Sequence, residues 1–197
     1  MIAMIISAVV AAVQGIGGPS EERTADIECV YEYRTSDDKG REDVYSTILQ
    51  VGKRSAKFVD YSTFQLDSAR TSGASEDQVE AFRLREEKKA QYFDYAIFQN
   101  EPAGNMTVYG TIISDRYSYT EDSKAMKWTL ADDEKTICGY QCHKAECEYG
   151  GRKWTAWYSQ DIPVSYGPWK LCGLPGLILA AEDSDGANKF EAIILRN

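Results

Sequence analysis

The sequence contains a single histidine, His143, and this scarcity narrows the chemistry available to the chain. Any serine–histidine, cysteine–histidine or multi-histidine metal site would need this one side chain. Its neighbour Cys142 is a poor catalytic partner, because adjacent side chains of a strand point to opposite faces. A glycine-rich phosphate loop and a serine nucleophile elbow are also absent from the sequence. We therefore favour a protein that is not an enzyme, expect no catalytic residues and no cofactor, and assign His143 a structural or surface role.

Basic residues are also scarce, with 22 lysines and arginines against 31 aspartates and glutamates. The resulting net charge of −9 repels a phosphate backbone, and no basic stripe offsets that repulsion, so we expect no nucleic-acid partner. The acidic clusters at 132–134 and 183–186 are predicted to be solvated turns, and the second has too few spaced ligands for a calcium loop. A glycosidase-type pair of carboxylates would need a fixed separation across a cleft, which the sequence does not define.

No apolar run is long enough for a membrane-spanning helix. Residues 1–13 are apolar apart from Ser7. This run has about half the length that a helix needs to cross a bilayer. A small residue at Gly15 then precedes a polar stretch, so we predict a signal peptide over residues 1–15 and one domain over 16–197. The alternative is a buried N-terminal strand or helix. The first cysteine, Cys29, is too distant for lipid anchoring. We expect an exported protein, periplasmic or associated with the outer membrane, without a transmembrane span in the mature chain.

Export would expose the cysteines to an oxidising compartment, where disulfides are plausible. Two bridges and one free thiol among five cysteines allow roughly 15 connectivities, so the pairing stays open. Four soft ligands within ten positions also allow a copper or zinc site, although their spacing matches no standard zinc knuckle and we expect no metal site. The thiols available for disulfides, or for burial as free thiols, are Cys29, Cys138, Cys142, Cys147 and Cys172.

Alternating apolar and polar residues dominate the chain and predict about a dozen short strands. The pattern is clear over residues 26–34, 43–51, 55–61 and 92–99, and it resumes after residue 105. A capping-box pattern at Ser75–Gln78 predicts one helix. This combination predicts a mainly β (α+β) fold, with a strongly curved antiparallel sheet or partly open barrel and one covering helix. Separate strands are predicted for residues 126–130 and 135–138.

The C-terminal third carries three ordered sequence blocks, at residues 128–145, 151–163 and 167–178. Together they resemble the GLPGLI family, exported proteins found mainly in Bacteroidota and named for the six residues that are here Gly173, Leu174, Pro175, Gly176, Leu177 and Ile178. The resemblance implies a periplasmic or envelope protein without established catalytic residues. Cys142 occupies the family's Gly-Tyr-x-Cys position, whereas the other cysteines of this third stand where different residues are expected.

The family motif has a physical interpretation as well. Pro168 after Gly167, and Pro175 before Gly176, are preferred central residues of tight turns, in which the glycine accepts a positive φ. The apolar run Leu177–Leu179 is typical of a buried strand. The motif is therefore interpreted first as a turn that closes the end of the core.

Alternation over residues 152–159 places Trp154 and Trp157 on opposite faces, so one is expected in the core and the other exposed. An exposed indole beside charged residues has the composition of a recognition site. The predicted ligand-binding residues are Arg152, Trp157, Asp161 and Trp169. Ordinary packing of large aromatic side chains is the competing interpretation.

Our hypothesis is a non-enzymatic binding or interaction module, in which the curved sheet presents an apolar or aromatic concavity. Its partner would be a peptide, an apolar lipid-like ligand or an envelope protein. The alternative is an envelope metal-handling protein or enzyme that uses Cys142, His143 and nearby acids. A purely structural interaction module is a third possibility.

Overall fold

The computed structural model describes residues 25–37, 39–86, 92–113 and 115–196, so the predicted signal peptide lies outside the described residues. Within these ranges, eleven strands, all paired antiparallel, form one sheet. The strands are β1 (Ile27–Ser36), β2 (Glu42–Val51), β3 (Ala56–Asp60), β4 (Tyr95–Gln99), β5 (Asn105–Ile112), β6 (Asp115–Asp122), β7 (Thr129–Ile137), β8 (Tyr140–Tyr149), β9 (Arg152–Ser159), β10 (Leu177–Asp183) and β11 (Asn188–Arg196).

The sheet is curved and unclosed, as the alternation pattern predicted. Its spatial order is β6-β5-β4-β3-β2-β1-β11-β10-β9-β8-β7, which leaves β6 and β7 as the two edges. The sheet curls so far that Tyr149, at the end of β8, donates a hydrogen bond of 2.8 Å to Glu121 of β6. One face is therefore concave and holds the main core, and the other is convex.

The concave face is filled by the chain itself. Inward side chains of nearly every strand, among them Tyr31, Phe58 and Trp154, are at most 2% exposed. Between β9 and β10 the chain does not form a short turn but enters the concavity as residues 160–176, which we call the strap. Leu171 and Leu174 of the strap are 0% and 1% exposed. The predicted concavity is therefore occupied by the protein's own side chains.

The convex face is covered by a helix that the sequence analysis missed. Helix α1 (Tyr61–Thr71) begins directly after β3, because the side chain of Asp60 accepts a hydrogen bond of 2.9 Å from the Ser62 amide and caps the helix. Tyr61 and Phe64 of this helix pack on a small cluster formed by Val30, Ile48 and Val59. The prediction of a strand continuing to Tyr61 was thus one residue too long.

The second helix, α2 (Glu76–Glu86), is the one that the sequence predicted. Its capping box is formed as expected: the Ser75 amide donates to the Gln78 side chain at 2.9 Å, and the Gln78 amide donates to the Ser75 hydroxyl at 3.3 Å. Leu84 is half exposed, and most of the other described side chains of α2 are exposed or only partly buried. The prediction of one covering helix is corrected to two, of which α1 contacts the sheet.

Strand β7 corrects two further predictions. The separate strands predicted at 126–130 and 135–138 are one strand with a register shift between Leu130 and Glu134. The acidic run at 132–134 therefore lies within an exposed edge strand and not in a turn. An irregular register interrupts the alternation of side chains, which explains why the pattern suggested two pieces.

Candidate functional site

The strap is fixed at its end by hydrogen bonds from distant side chains. The indole of Trp128, just before β7, donates to the Cys172 carbonyl at 2.8 Å, and Tyr31 of β1 donates at 2.7 Å to the carbonyl of Ile178, at the start of β10. Within the strap, the Gly173 amide donates to the Ser165 carbonyl at 3.0 Å. The strap is therefore tied to the core by these bonds and by buried side chains such as Leu171 and Leu174.

The six motif residues span the end of the strap and the start of β10, where they act by size and conformation. Leu174, Leu177 and Ile178 are fully buried, in agreement with a turn that closes the core. The positive φ predicted for Gly176 occurs instead at Gly173, where φ is 95°. At Gly176 a β-carbon would collide with the carbonyl oxygen of Ser159, so this glycine is required for close approach of two backbones.

Trp169 has a strained backbone that is held in place by one buried side chain. Its φ of 52° lies in the left-handed region, which non-glycine residues seldom adopt. Gln99, which is 0% exposed, donates from its amide nitrogen to the carbonyls of Gly167 at 2.8 Å and Trp169 at 2.7 Å. These bonds fix the turn before Trp169 and so fix the direction of its indole. Strain that the surrounding structure maintains is a feature of functional sites.

The Trp169 indole lies in a contiguous group of aromatic rings on the concave side. Its nitrogen donates to the Tyr95 hydroxyl at 3.3 Å, and its ring centroid lies 5.8 Å from that of Tyr149. Tyr117 and Tyr119, from β6, stack with centroids 6.3 Å apart. Tyr119 is 42% exposed, and the other four rings are partly exposed. We call this group the aromatic mouth: Tyr95, Tyr117, Tyr119, Tyr149 and Trp169.

An ion pair joins the two sides of the aromatic mouth. Lys170 of the strap lies 2.7 Å from the carboxylate of Glu121 and 3.1 Å from the Tyr119 hydroxyl, and its ammonium group lies 4.9 Å from the Tyr119 ring centroid. Burial opposes both charges, but the hydrogen bonds outweigh it. The pKa of Glu121 is lowered by its bonds from Lys170 and Tyr149, and the pKa of Lys170 is raised by its bonds to Glu121 and Tyr119. Both groups are therefore charged at neutral pH.

The phenols of the mouth are not poised for acid–base chemistry. Burial raises the pKa of Tyr95 to about 12, partly offset by the bond from the Trp169 indole. Burial, followed by the hydrogen bond to Glu121, raises the pKa of Tyr149 well above its ordinary value. A catalytic acid or base needs a pKa near the working pH, so these groups suit binding better than proton transfer.

The four predicted ligand-binding residues are divided between different surfaces. Arg152 lies on the concave side and its guanidinium pairs with the buried carboxylate of Asp183. Trp169 lies in the aromatic mouth. Trp157 lies on the other face of β9 from Trp154, with the Lys135 ammonium 4.4 Å from its ring centroid. Asp161 is exposed just after β9. The structure therefore does not bring the four together in one site.

Sequence analysis missed the tyrosines of β4, β6 and β8. One signal was available, because Tyr117, Tyr119 and Glu121 alternate along a single strand and must share a face. Their meeting with Trp169 depends on the strap, which is distant in sequence: Lys170 and Glu121 are separated by 49 positions. A contact between residues so far apart in the chain produces no periodic pattern in the sequence around either of them.

All five cysteines lie in the described ranges, and each has a free thiol there. Four are buried, and Cys138 is exposed with φ of 50° at the turn between β7 and β8. Desolvation raises the pKa of Cys29 and Cys172 to about 12, and that of Cys142 and Cys147 to about 11. Thiols with such raised pKa values are poor nucleophiles and poor metal ligands.

The alternative site at Cys142 and His143 is not assembled as a metal centre. Cys142 is 0% exposed, whereas His143 is half buried and its Nδ1 lies 3.4 Å from Glu134. Within the described ranges, no group of three or more histidine, cysteine, aspartate or glutamate side chains is placed to hold a metal ion. The acid Asp183 serves a turn, because it accepts hydrogen bonds from the Ala187 amide at 2.8 Å and the Asn188 side chain at 2.7 Å.

A shallow pocket of about 320 Å³ opens on the convex side, between the helices and the ends of β1 and β11. Its walls combine three aromatic rings with polar side chains, and Arg196 lies 3.7 Å from Glu28. The lining includes Glu28, Tyr61, Phe64, Phe82 and Arg196. None of the described helices is sufficiently long and apolar to span a membrane.

The family model that matches the chain covers residues 150–180 and is described as "Protein of unknown function (Porph_ging)". This segment comprises β9, the strap and the start of β10, and it contains the motif Gly173–Ile178. The match is consistent with the resemblance to the GLPGLI family. A search of curated protein sequences found no match.

Two solved structures of PNGF-II, in space groups P21 and C2, share the fold. The first aligns with a TM-score of 0.60 at 15% identity and the second with 0.59 at 15%, each over 86% of this chain. The chain spans only 28% and 27% of those two proteins. The LolA superfamily protein NE2245 from Nitrosomonas europaea aligns over 86% of this chain and 84% of its own at 10% identity, with a TM-score of 0.34. The chain is therefore similar in fold to a part of a longer protein.

Proposed function

We propose that the chain is a non-enzymatic binding module that recognises a peptide segment at the aromatic mouth. The observation that carries this proposal is the mouth itself: five tyrosine and tryptophan rings, none fully buried, surround one ion pair on the concave side. Rigid, partly exposed aromatic rings with polar tips are enriched at the energetic centres of protein interfaces. Gln99 and Glu121 hold the rings before any ligand arrives, which reduces the entropy lost on binding.

A peptide fits this surface better than a lipid-like chain does. A lipid chain needs a deep apolar cavity, and the strap places Leu171 and Leu174 at the centre of the concavity. The polar groups that remain at the mouth are phenol hydroxyls, a lysine and a carboxylate. These groups offer hydrogen bonds and ring faces to a peptide while burying little apolar surface.

Export to the periplasm or outer membrane and membership of the GLPGLI family belong to the same proposal. The apolar run at 1–13 supports export, and the ordered blocks between residues 128 and 178 support the family. The likeness of fold to a part of PNGF-II supports a module that works beside other domains, since one fold can serve as a component of a longer chain.

The test is selection of a phage-displayed library of random peptides, of about 10 residues, on the immobilised protein. We expect enriched peptides whose synthetic forms bind the wild type, with a loss of about tenfold or more for Tyr119→Ala. The matched control is Tyr109→Ala, because Tyr109 lies on the neighbouring strand β5 but on the other face, packed 5.6 Å from Phe98 between ring centroids.

Three outcomes would overturn the proposal. One is a library that yields no enriched peptide, and another is an equal loss of affinity for both tyrosine variants. The third is saturable binding of a fluorescent fatty acid by the wild type, since that result would require a cavity that the strap fills. Thermal melts of all three proteins by circular dichroism would separate a binding defect from a folding defect.

A further inference from the structure

Strand β6 leaves one side of its backbone without a neighbouring strand. Within the described residues it pairs with β5 alone, over eight residue pairs and without a register shift. Beyond the pair Asn105 and Asp122, the same register pairs Gly104 with Ser123, and the Ser123 amide donates to the Gly104 carbonyl at 3.2 Å. Gly104 and Ser123 are therefore a hydrogen-bonded pair, and hydrogen-bonded pairs recur at every second position.

This register decides which backbone groups face outward. Asp115, Tyr117, Tyr119 and Glu121 direct their amides and carbonyls to β5, because they occupy the hydrogen-bonded positions. Ser118 and Thr120 lie between them and direct their backbone groups to the open edge. The tyrosine side chains of the same strand point to the concave side. The outward backbone and the aromatic mouth are thus two surfaces of one strand.

The two edges of the sheet are protected to different degrees. Natural proteins block edge strands with charges, prolines or bulges, because open edges pair with other chains. Strand β7 has an acidic run at 132–134 and a register shift beside it. In β6 the charged residues stand only near the ends, and the central residues Tyr117–Thr120 are uncharged and of types that favour strands. The edge left available for pairing is therefore the edge beside the mouth.

We propose that β6 binds an extended, basic peptide as an added antiparallel strand, whose inward side chains lie over Tyr117 and Tyr119. This inference rests on the proposed function and specifies its binding mode and ligand class. Addition of a strand supplies backbone hydrogen bonds, and pockets at alternate positions supply specificity. Lysine and arginine fit the position over Tyr117 because ring faces attract cations, whereas the Tyr119 ring already lies beside the Lys170 ammonium. A basic peptide also complements the net charge of −9 of the chain and the three carboxylates of β6, which stand against one arginine.

A second copy of this chain is a less suitable occupant of the edge. If β6 paired antiparallel with itself over its full length, Asp115 of each copy would face Asp122 of the other. Arg116 would face Glu121, but the charge of Glu121 is already paired with Lys170 in its own chain. Like charges directly opposite each other destabilise a strand pair. Two domains that each carry a charge of −9 would also repel one another. Charge complementarity therefore favours a basic peptide over self-association.

The decisive variant is Ser118→Pro, with Ser118→Ala as its matched control. Proline lacks the amide hydrogen that Ser118 directs outward, but the bonds between β6 and β5 do not use that hydrogen, and edge strands accept proline at such positions. With peptides selected on the wild type, we expect Ser118→Pro to weaken binding by about tenfold to a hundredfold and Ser118→Ala by about twofold or less. The selected sequences should be rich in lysine and arginine at alternate positions and poor in proline.

A second measurement keeps the test independent of how Ser118→Pro folds. Synthetic peptides are methylated on the backbone nitrogens of either the odd or the even positions and measured with the wild type. One set removes the amides that face β6 and the other leaves them intact, so we expect one set to lose binding and the other to keep it. Equal affinity of the two sets would overturn strand addition.

The remaining outcomes separate this inference from the proposed function. Loss with Tyr119→Ala but not with Ser118→Pro would retain the mouth and overturn strand addition. Retention of binding in both variants would overturn both proposals. Enrichment of acidic peptides would overturn the proposal that the ligand is basic. Light scattering could instead show that the wild type is a dimer and that Ser118→Pro is a monomer. This result would mean that a second copy occupies the edge, and it would overturn the proposal of a peptide ligand.

Discussion

The two faces of strand β9 differ in how their tryptophans are buried. On the concave face, Trp154 is 2% exposed and packs 5.6 Å from the Trp169 ring, which the strap brings in from the other side of the concavity. On the convex face, Trp157 is only partly buried and lies beneath the ammonium group of Lys135. The tryptophan of the concave face is thus buried beneath the strap. The tryptophan of the convex face is covered only by the exposed side chain of Lys135.

The same contrast holds for the whole sheet. The strap covers the concave face with fully buried leucines, and its carbonyls accept hydrogen bonds from Gln99 and Trp128. Helix α1 covers part of the convex face through two rings packed on a cluster of three buried residues. We expect the strap to carry more of the stability and the convex cover to tolerate change. The concave face also presents the mouth, so in the proposed function the strap would serve both stability and recognition.

The largest loss in the free energy of unfolding is expected from Gly176→Ala, which places a methyl group at the end of the strap. The new methyl group would meet the Ser159 carbonyl, a backbone atom that has little room to move. We expect a loss of about 3 kcal/mol, at the upper end of overpacking costs, measured by urea denaturation. The control is Gly186→Ala, where φ is 68° but no atom lies within 4 Å, so only conformational strain of about 1 kcal/mol applies. Equal losses would contradict the close approach at Gly176.

A second pair of variants compares the two covers directly. Leu174→Ala removes most of a strap side chain that is 1% exposed, and it should lower the free energy of unfolding by about 3 kcal/mol. Phe64→Ala removes a half-buried ring from α1 and should cost about half as much, because part of its surface is already wet. If Phe64→Ala lowered the free energy of unfolding as much as Leu174→Ala, the convex cover would be equally important and the comparison would fail.

A third prediction uses pH to separate the ion pairs of the two faces. The folded pKa of Glu121 is lowered from its ordinary 4.5, so its charge stabilises the fold above that pH, and the contribution is lost as pH falls through the lowered folded value. Glu121→Gln should therefore cost about 1 kcal/mol at pH 7, discounted for partial exposure, and nothing at pH 2. Glu80→Gln on α2, which breaks an exposed pair with Arg83, should have a smaller effect on thermal unfolding. A Glu121→Gln defect that persisted at low pH would contradict this assignment.

Local features of the sequence predicted much of the sheet. The alternation in β1, β8 and β9 identified the strands, and the Ser75–Gln78 pattern identified the start of α2, because these signals depend on neighbouring residues alone. Helix α1 escaped prediction because its sequence contains β-branched and aromatic residues, and its stability comes from the Asp60 cap and from packing on the sheet. Strand β7 was divided because a register irregularity interrupts its alternation.

The site was predictable only in part, for a related reason. Trp169 was identified as a candidate because it stands out within the strap sequence. Its neighbours Tyr95, Tyr119 and Tyr149 come from three strands and meet only through the curl of the sheet. Alternation correctly placed Trp154 and Trp157 on opposite faces of β9, and the structure shows that Trp154 is the inward one. Which of the two faces would meet Trp169 depended on the path of the strap, which no periodicity encodes.

The smallest effect is expected from Trp157→Ala, and it bears on function more than on stability. Trp157 is separated from the mouth by the thickness of the sheet, so its loss should change peptide affinity by about twofold or less. Trp169→Ala removes a ring that contacts both Tyr95 and Tyr149 and should weaken the same peptide by about tenfold or more. Binding measured by fluorescence anisotropy would distinguish the two tryptophans. A larger loss with Trp157→Ala would move the recognition surface to the convex face, where Lys135 and the acidic edge of β7 would become its components.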